Sequence, residues 1–245
     1  MSSPGCWRWS RQALALLAGW DFDLAPDSAA AALYEVWCCK IADLVLRPRL
    51  GEELFDHYFA RRQWTNSFQY QALPHLLAYP TADWFGTEGR EGRDEVLRRA
   101  LDLAIEELAR AMGDEMESWA WGAIHRVRFA GQLAAIPDLA EVFTAGEVAW
   151  GGDEQTVCQG MFEPGSGYDA VVIPSWRQVI DLGDLDRSVG THTVGQSGNP
   201  ASRHWNDLLP LWSTGQYHPL PFTRTAVEAA TESRLELSPE AAEGR

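Results

Sequence analysis

Ser197 stands between glycines in Gly195-Gln196-Ser197-Gly198, a setting that raises the chemistry of a nucleophile elbow, where a strand-to-helix turn thrusts a hydroxyl outward. That elbow requires Gly-x-Ser-x-Gly, whereas the glycines here fall at 195 and 198, so the spacing predicts a tight turn that uses glycine dihedrals. His192 and His204 flank the turn. With a nearby aspartate they would complete a Ser-His-Asp arrangement if the fold brought them to Ser197, although as residue types they read as buried, hydrogen-bonded structural histidines. His57, His75, His125 and His218 complete a set of six, in which no pair has the i, i+4 spacing of a helical zinc site and no glutamate sits in an HExxH context. His125, just after Trp119 and Trp121, reads as a packed ring bonded to a carbonyl. Asp181, Asp184 and Asp186 share one loop but lack the glycine and terminal glutamate of a calcium loop, so they read as solvated turn residues. Cys6, Cys38, Cys39 and Cys158 form no Cys-x-x-Cys pair and lack the density of a disulfide scaffold. Cys38 and Cys39, adjacent on a predicted helix, point to different sides of it, and all four read as small core residues. From residue types and spacing, no catalytic, cofactor-binding or metal-binding residue is assigned.

The elements that would position these residues change character along the chain. Asp27 and Ser28 precede an alanine-rich run, Ala29 to Leu46, in which Ala32, Leu33, Val36, Trp37 and Leu44 recur at helical spacing, and Pro48 is expected to close that helix. Shorter helices are predicted at Glu52 to Arg61 and Ser67 to Leu77, punctuated by Pro74 and Pro80. The clearest helix spans Arg93 to Met112. Its apolar face is Val96, Leu97, Ala100, Leu101, Ala104, Ile105 and Leu108, its solvated face Asp94, Glu95, Arg98, Arg99, Glu106, Glu107 and Arg110, and its cap Gly113. After Trp119, glycine and proline become frequent. Strands are predicted at Thr156 to Phe162, Tyr168 to Ile173 and Trp176 to Leu182, with turns at Gly165-Ser166-Gly167 and Gly183-Asp184. A helix around Asn206 to Trp212 and a strand at Arg234 to Leu237 follow. The expected organisation is a mainly helical part over 1–150, a strand-rich part over 151–237 and a mobile tail over 238–245, all of it one portion of a larger domain; the fold class is α+β.

Composition bounds the partners. The chain has 245 residues, 46% of them hydrophobic, enough to bury a core in one large domain or two small ones. A formal charge of -15 excludes a nucleic-acid backbone and an anionic membrane as partners, because long-range repulsion opposes both. No stretch approaches the run of about 18 apolar residues that spans a bilayer. Arg8, Arg11, Asp21 and Asp23 interrupt the first apolar patch, so no export signal is expected within this sequence and the compartment stays open. The twelve tryptophans need large packed neighbourhoods and partners for their indole N–H groups, as in a piece of a big, tightly packed protein.

Four segments stand out in order. They are Leu16-Leu17-Ala18-Gly19-Trp20-Asp21; Trp119-Ala120-Trp121-Gly122-Ala123-Ile124-His125-Arg126; Gly151-Gly152-Asp153-Glu154-Gln155-Thr156-Val157; and a long fourth set. The fourth runs from Trp176-Arg177 through Asp181-Leu182-Gly183-Asp184 and Gly195-Gln196-Ser197-Gly198-Asn199-Pro200 to His204, Asp207, Leu211-Trp212 and Gly215-Gln216-Tyr217. In this order and spacing they resemble the final third of the penicillin amidase family, with its penicillin, cephalosporin and acyl-homoserine-lactone acylases. The resemblance covers Ala13 to Leu237, with two departures. His192-Thr193-Val194 replaces a proline-glycine approach, and Trp205 replaces a tyrosine.

What the resemblance implies is the C-terminal portion only of an N-terminal-nucleophile hydrolase, whose four-layer αββα fold sandwiches two sheets between helices. In such an enzyme the free amine of an exposed serine serves as base for its own hydroxyl, which attacks the amide, while backbone N–H and an asparagine stabilise the oxyanion. In the family those parts precede the Trp20-Asp21 segment, so the nucleophile is expected to lie outside this chain. Ser2, which removal of Met1 would expose, lacks the asparagine and tryptophan surroundings that the family places after its nucleophile. Family calcium sites use positions that would also lie outside. The expected partners are the missing N-terminal portion or a partner chain of the same enzyme and a small-molecule amide. The alternatives are an inactive scaffold of the same family and, more remotely, a hydrolase using Ser197.

Overall fold

The structure, a computed structural model, describes residues 4–59, 67–85 and 90–238. Ser2 and residues 239–245 of the expected tail lie outside the described residues, and so do residues 60 and 61 of the expected Glu52 to Arg61 helix. Compactness divides the chain into two units, Met1–Pro174 and Ser175–Arg245, whereas the composition changes near residue 150.

The first unit opens with five helices: α1 (Pro4–Ala18), α2 (Ala29–Phe59), α3 (Ser67–Ala78), α4 (Ala82–Phe85) and α5 (Arg90–Met112). Ser28 caps α2, its Oγ accepting from the N–H of Ala31 at 3.1 Å. Pro48 does not close that helix as expected. Its fixed φ is compatible with a helix, and although it lacks an N–H and its ring crowds the carbonyl four residues earlier, helical backbone continues to Gly51, where φ 75° and ψ 165° redirect the chain. Helix α5 takes the expected apolar face, with Ala100, Leu101, Ala104, Ile105 and Leu108 all buried, and Gly113 N–H donates to Ala109 O at 2.8 Å beyond its end. Small residues on α2 (Ala31, Ala32) and α5 (Ala104) let the two helices approach, and Leu33, Val36, Ile105 and Leu108 fill the space between them.

One residue of the expected solvated face departs. Glu107 pairs with Lys40 of α2 and accepts a hydrogen bond from Tyr168 Oη at 2.6 Å. Sequence periodicity assigns it outward because it shows only which residues are charged, not what arrives over them later in the chain.

Beyond α5 come a short helix, α6 (Trp121–Ile124), and two small antiparallel sheets: β1 (Arg126–Ala130) with β2 (Thr144–Ala149), and β3 (Met161–Phe162) with β4 (Ala170–Val172). The β1–β2 hairpin lies inside the part expected to be mainly helical. The strand expected from Thr156 shrinks to Met161–Phe162, because the Asp153 carboxylate accepts from the N–H groups of Gln155 and Thr156, both at 2.8 Å, and curls that segment into a turn.

The second unit holds a three-stranded antiparallel sheet in the order β5 (Trp176–Val179), β6 (Val189–His192), β7 (His218–Pro219), with α7 (Leu209–Ser213) and α8 (Arg224–Ala230). Strands β6 and β7 and helix α8 lie outside the elements expected from the sequence. The strand expected at Arg234 to Leu237 is irregular backbone, with Leu235 and Leu237 exposed. Helix-rich first half and strand-rich second half make the chain α+β.

Candidate functional site

Three of the four segments singled out in the sequence meet in one place. The N–H of Trp121 donates to Ser28 O at 3.2 Å, that of Gly122 to Pro26 O at 2.6 Å, and that of Gly152 to Leu24 O at 2.8 Å. These bonds tie the stretch after Trp20 to the second and third segments. The indole N–H of Trp121 donates to Gly152 O at 2.9 Å, and the Trp121 ring stacks on His125 with centroids 4.4 Å apart and planes 8° from parallel. Phe162 and Tyr168 meet Trp121 edge-on. His125 is fully buried and its Nδ1 lies 2.5 Å from Tyr168 O, the carbonyl contact expected of it. Tyr168 continues to Glu107, and Glu107 to Lys40.

The electrostatics of this centre are those of a buried scaffold. Burial holds the His125 imidazole below its ordinary value of 6.5. Burial pushes the Glu107 carboxyl upward, but the hydrogen bonds from Lys40 and Tyr168 more than offset it and leave the group below the usual carboxylate range. Tyr168 is raised, first by burial and then by Cys39 and Glu107. Both folded pKa values, of His125 and Glu107, lie below their unfolded ones, so each group contributes stability above the unfolded value and loses it as pH falls through the folded one. Stability is therefore expected to decline as pH drops below about 6.5, first through His125 and then, in the carboxylate range, through Glu107. Urea midpoints measured across that range test this, and His125→Asn should flatten the upper step; a step that persists in that variant would assign it elsewhere.

Cys38 and Cys39 line an apolar cavity of about 370 Å³ with Tyr34, Trp37, Leu73 and Leu97. Burial, then Glu35, pushes the Cys38 thiol up to about 12, and burial drives Cys39 well above its usual value. Neither forms a thiolate nucleophile at neutral pH. Cys158 is exposed, which corrects its reading as a core residue, because the turn anchored by Asp153 carries it outward. Iodoacetamide at neutral pH is expected to alkylate Cys158 and to spare Cys38 and Cys39 until the fold is opened with urea, as read by mass spectrometry.

The second unit gathers the fourth segment without making a triad. The Ser197 hydroxyl accepts from Asn199 N–H at 3.1 Å, and its own N–H donates to His204 O at 3.0 Å. His204 pairs through Nδ1 with Asp207 at 2.6 Å, and its Nε2 meets Arg203 Nε at 2.9 Å. Nδ1 of His192 lies 3.4 Å from Thr193 Oγ1, too long for a proton-transfer pair. The histidine and aspartate meet, but no bond joins either histidine to the Ser197 hydroxyl, and His192 is half-buried and His204 exposed rather than buried as expected. Gly195 has an ordinary φ, against the expected glycine dihedral. It is needed for room, since a Cβ there would sit 2.2 Å from His204 O.

Asp181 behaves as expected, accepting from Gly183 and Asp184 N–H groups at 2.9 and 3.2 Å. Asp186 was underestimated. Its carboxylate accepts from the N–H of Phe222 and of Thr223, both at 2.8 Å, and from Thr223 Oγ1 at 2.7 Å, and these bonds, Thr223's backbone first, hold it below the usual range. Among the described residues no group of three or more His, Cys, Asp or Glu is arranged to hold a metal ion, and no helix is long and apolar enough to cross a membrane.

Comparison with known proteins places this arrangement among relatives. The family model described as penicillin amidase matches residues 6–229. The chain is 31% identical over 235 residues to acyl-homoserine lactone acylase QuiP of Pseudomonas syringae pv. syringae, covering 94% of this chain and 28% of that protein. It is 31% identical over 225 residues to penicillin acylase 2 proenzyme of Pseudomonas sp. (strain SE83), covering 89% of this chain and 28% of that protein. A solved thermostable penicillin G acylase from Alcaligenes faecalis superposes with a TM-score of 0.50 at 17% identity, over 97% of this chain and 46% of that one, and shows a shared fold of the αββα type. One expectation is corrected by these matches. The likeness is not that of a C-terminal fragment only, because it runs through nearly the whole chain, from residue 6 to residue 229. The chain spans about 28% of the length of the curated relatives it matches.

Proposed function

The chain belongs to the penicillin amidase family, and from that premise we propose that it is a structural part of an enzyme that hydrolyses linear amides, releasing an acyl group from an amine. The amine is a β-lactam nucleus or a homoserine lactone, the two classes that the names of its relatives carry. The attacking hydroxyl and its base are contributed by polypeptide outside these 245 residues, and both compact units belong to one larger domain with it. One observation supports this reading above the others. The chain matches acylases over 94% of its own length while spanning 28% of theirs, and the serine and histidines it offers are engaged with other partners.

The test replaces the matching segment of the Pseudomonas syringae acylase by this chain and follows release of free amine from an acyl-homoserine lactone and from penicillin G. The chimera is expected to turn over at least one of them, and the chain alone neither. Turnover by the chain alone that Ser197→Ala abolishes would overturn the proposal in favour of an independent hydrolase. A folded chimera without turnover would favour the inactive scaffold.

A further inference from the structure

Helices α2, α3 and α5 do not close on one another completely. Between them lies the cavity of about 370 Å³ that is walled by Trp37, Cys38 and Cys39 of α2, Leu73 and Leu77 of α3 and Leu97 of α5. Protein interiors hold few spaces larger than a water molecule, and this one falls within the range of small-molecule sites, about 300–1,000 Å³. Tyr34 and Pro74, both exposed, also border it and leave a way in from solvent. Tyr34 is the innermost of three rings that run outward from that rim, its centroid 5.3 Å from Trp20, which lies 5.4 Å from Phe22. Phe22 is 79% exposed and holds φ 67°, in the left-handed region that a residue with a side chain rarely adopts. Backbone strain of this kind gathers at ligand clamps.

The wall decides what fits. Among the described residues no charged side chain lines it, and the Trp37 indole N–H is already bonded to Leu97 O at 3.0 Å, so that ring offers its apolar body. An anion is opposed there, since burial and then Glu35 already hold the Cys38 thiol protonated and an added carboxylate would meet the same surroundings. A cation would leave water without a carboxylate on the wall to pair with. Water itself needs about two to four polar partners, and the wall offers it one phenol and two weakly donating thiols. The polarisable sulfurs of Cys38 and Cys39 and the rings of Tyr34 and Trp37 favour an aromatic occupant. An apolar space of about 150 Å³ takes one benzene ring, so a space of about 370 Å³ suits two fused rings.

We propose that the cavity between α2, α3 and α5 binds an uncharged aromatic molecule of about two fused rings. Its body fills the space among Trp37, Leu73 and Leu97, and a hydroxyl on it meets the Tyr34 hydroxyl at the rim. Because three helices share the wall, the ligand ties α3 to the other two. Helix α3 gains most, since Pro74 within it removes a helical N–H and leaves the helix dependent on what it packs against. Such a site is independent of the amide hydrolysis proposed above.

Titration of the chain with 1-naphthol at neutral pH, followed by calorimetry, is expected to show saturable one-to-one binding and slowed hydrogen exchange at the α3 amides. The anion 1-naphthoate, which carries the same rings, should bind at least about tenfold more weakly. Leu97→Trp fills the space and should weaken 1-naphthol binding by about tenfold or more. Near-ultraviolet circular dichroism verifies that this variant is folded; if it is not, the smaller change Leu77→Phe takes its place. Absence of saturable 1-naphthol binding overturns the inference, and so does binding that a folded, filled variant keeps at parental affinity. Equal affinity for 1-naphthoate overturns the uncharged class of ligand. Binding by the chain but not by the folded acylase chimera assigns the space to a side chain from the rest of the enzyme and overturns it too. If the chain alone does not fold, the chimera titration decides.

Discussion

Gly152→Ala is expected to lower the stability of the first unit by about 3 kcal/mol or more, the sum of two effects that act at this position together. Gly152 has φ +74°, and a Cβ built on it would sit 1.9 Å from Cys158 O and 2.6 Å from Thr156 Oγ1. The first effect is the strain of a left-handed side-chain-bearing residue, about 1–2 kcal/mol. The second is overpacking against backbone, typically about 1–3 kcal/mol. The shift needed to relieve the clash would also strain the bond from Gly152 N–H to Leu24 O and the bond from Trp121 to Gly152 O. Gly113→Ala separates the two effects. Gly113 has φ +90° with nothing within 4 Å of its hypothetical Cβ, so that variant should lose only the dihedral contribution. Urea midpoints of the two variants check this, and equal losses would refute the steric account.

Trp121→Ala should be the more damaging change. The side chain is fully buried, and truncating a core tryptophan costs about 3–5 kcal/mol. Here the loss also leaves Gly152 O without its donor, worth about another 1 kcal/mol, and strips His125 of its stacking partner. Trp121→Phe keeps a ring against His125 and Phe162 but no N–H, so it should fall between the parent and the alanine variant. Near-ultraviolet circular dichroism and thermal unfolding read both. If the phenylalanine variant were as unstable as the alanine one, the hydrogen bond rather than the packing would dominate.

These two residues belong to segments visible in the sequence, yet their importance is not visible in the same way. Trp121 could be singled out because tryptophans are large and must be housed. Gly152 stood in a Gly-Gly pair, but nothing adjacent in sequence says that the chain returns at Cys158 to press on it. The alanine-rich helix start, the α5 face and the Gly113 cap were legible because each depends on neighbours one turn away. The helix end after Pro48 was misplaced for the converse reason. Proline is a strong local breaker, but the first turn beyond it tolerates its φ, and the backbone turned only at Gly51.

The candidate site divides along the same line. Expecting His125 to bond a carbonyl needed only its residue type and its tryptophan neighbours, whereas identifying Tyr168 as the partner needed the fold. The Asp186 contact with residues 222–223, the room required at Gly195 and the outward placement of Cys158 were likewise beyond sequence spacing. In the second unit, the proximity of His204 and Asp207 follows from three intervening positions, while the detachment of Ser197 from both depends on how the turn is closed.

By itself, the amino-acid sequence determined the start of α2, the apolar face and cap of α5, the α+β class and, through four ordered segments, the family. Tertiary structure alone decided which of those segments meet, that Glu107 is engaged by Lys40 and Tyr168, and that no histidine bonds the Ser197 hydroxyl. The reason is the range of the forces. Helical periodicity and capping act between residues three or four apart, but the bonds that build the centre join Trp121 to Gly152 across 31 positions, His125 to Tyr168 across 43 and Glu107 to Tyr168 across 61, and separations of that length are fixed only when the whole chain has packed.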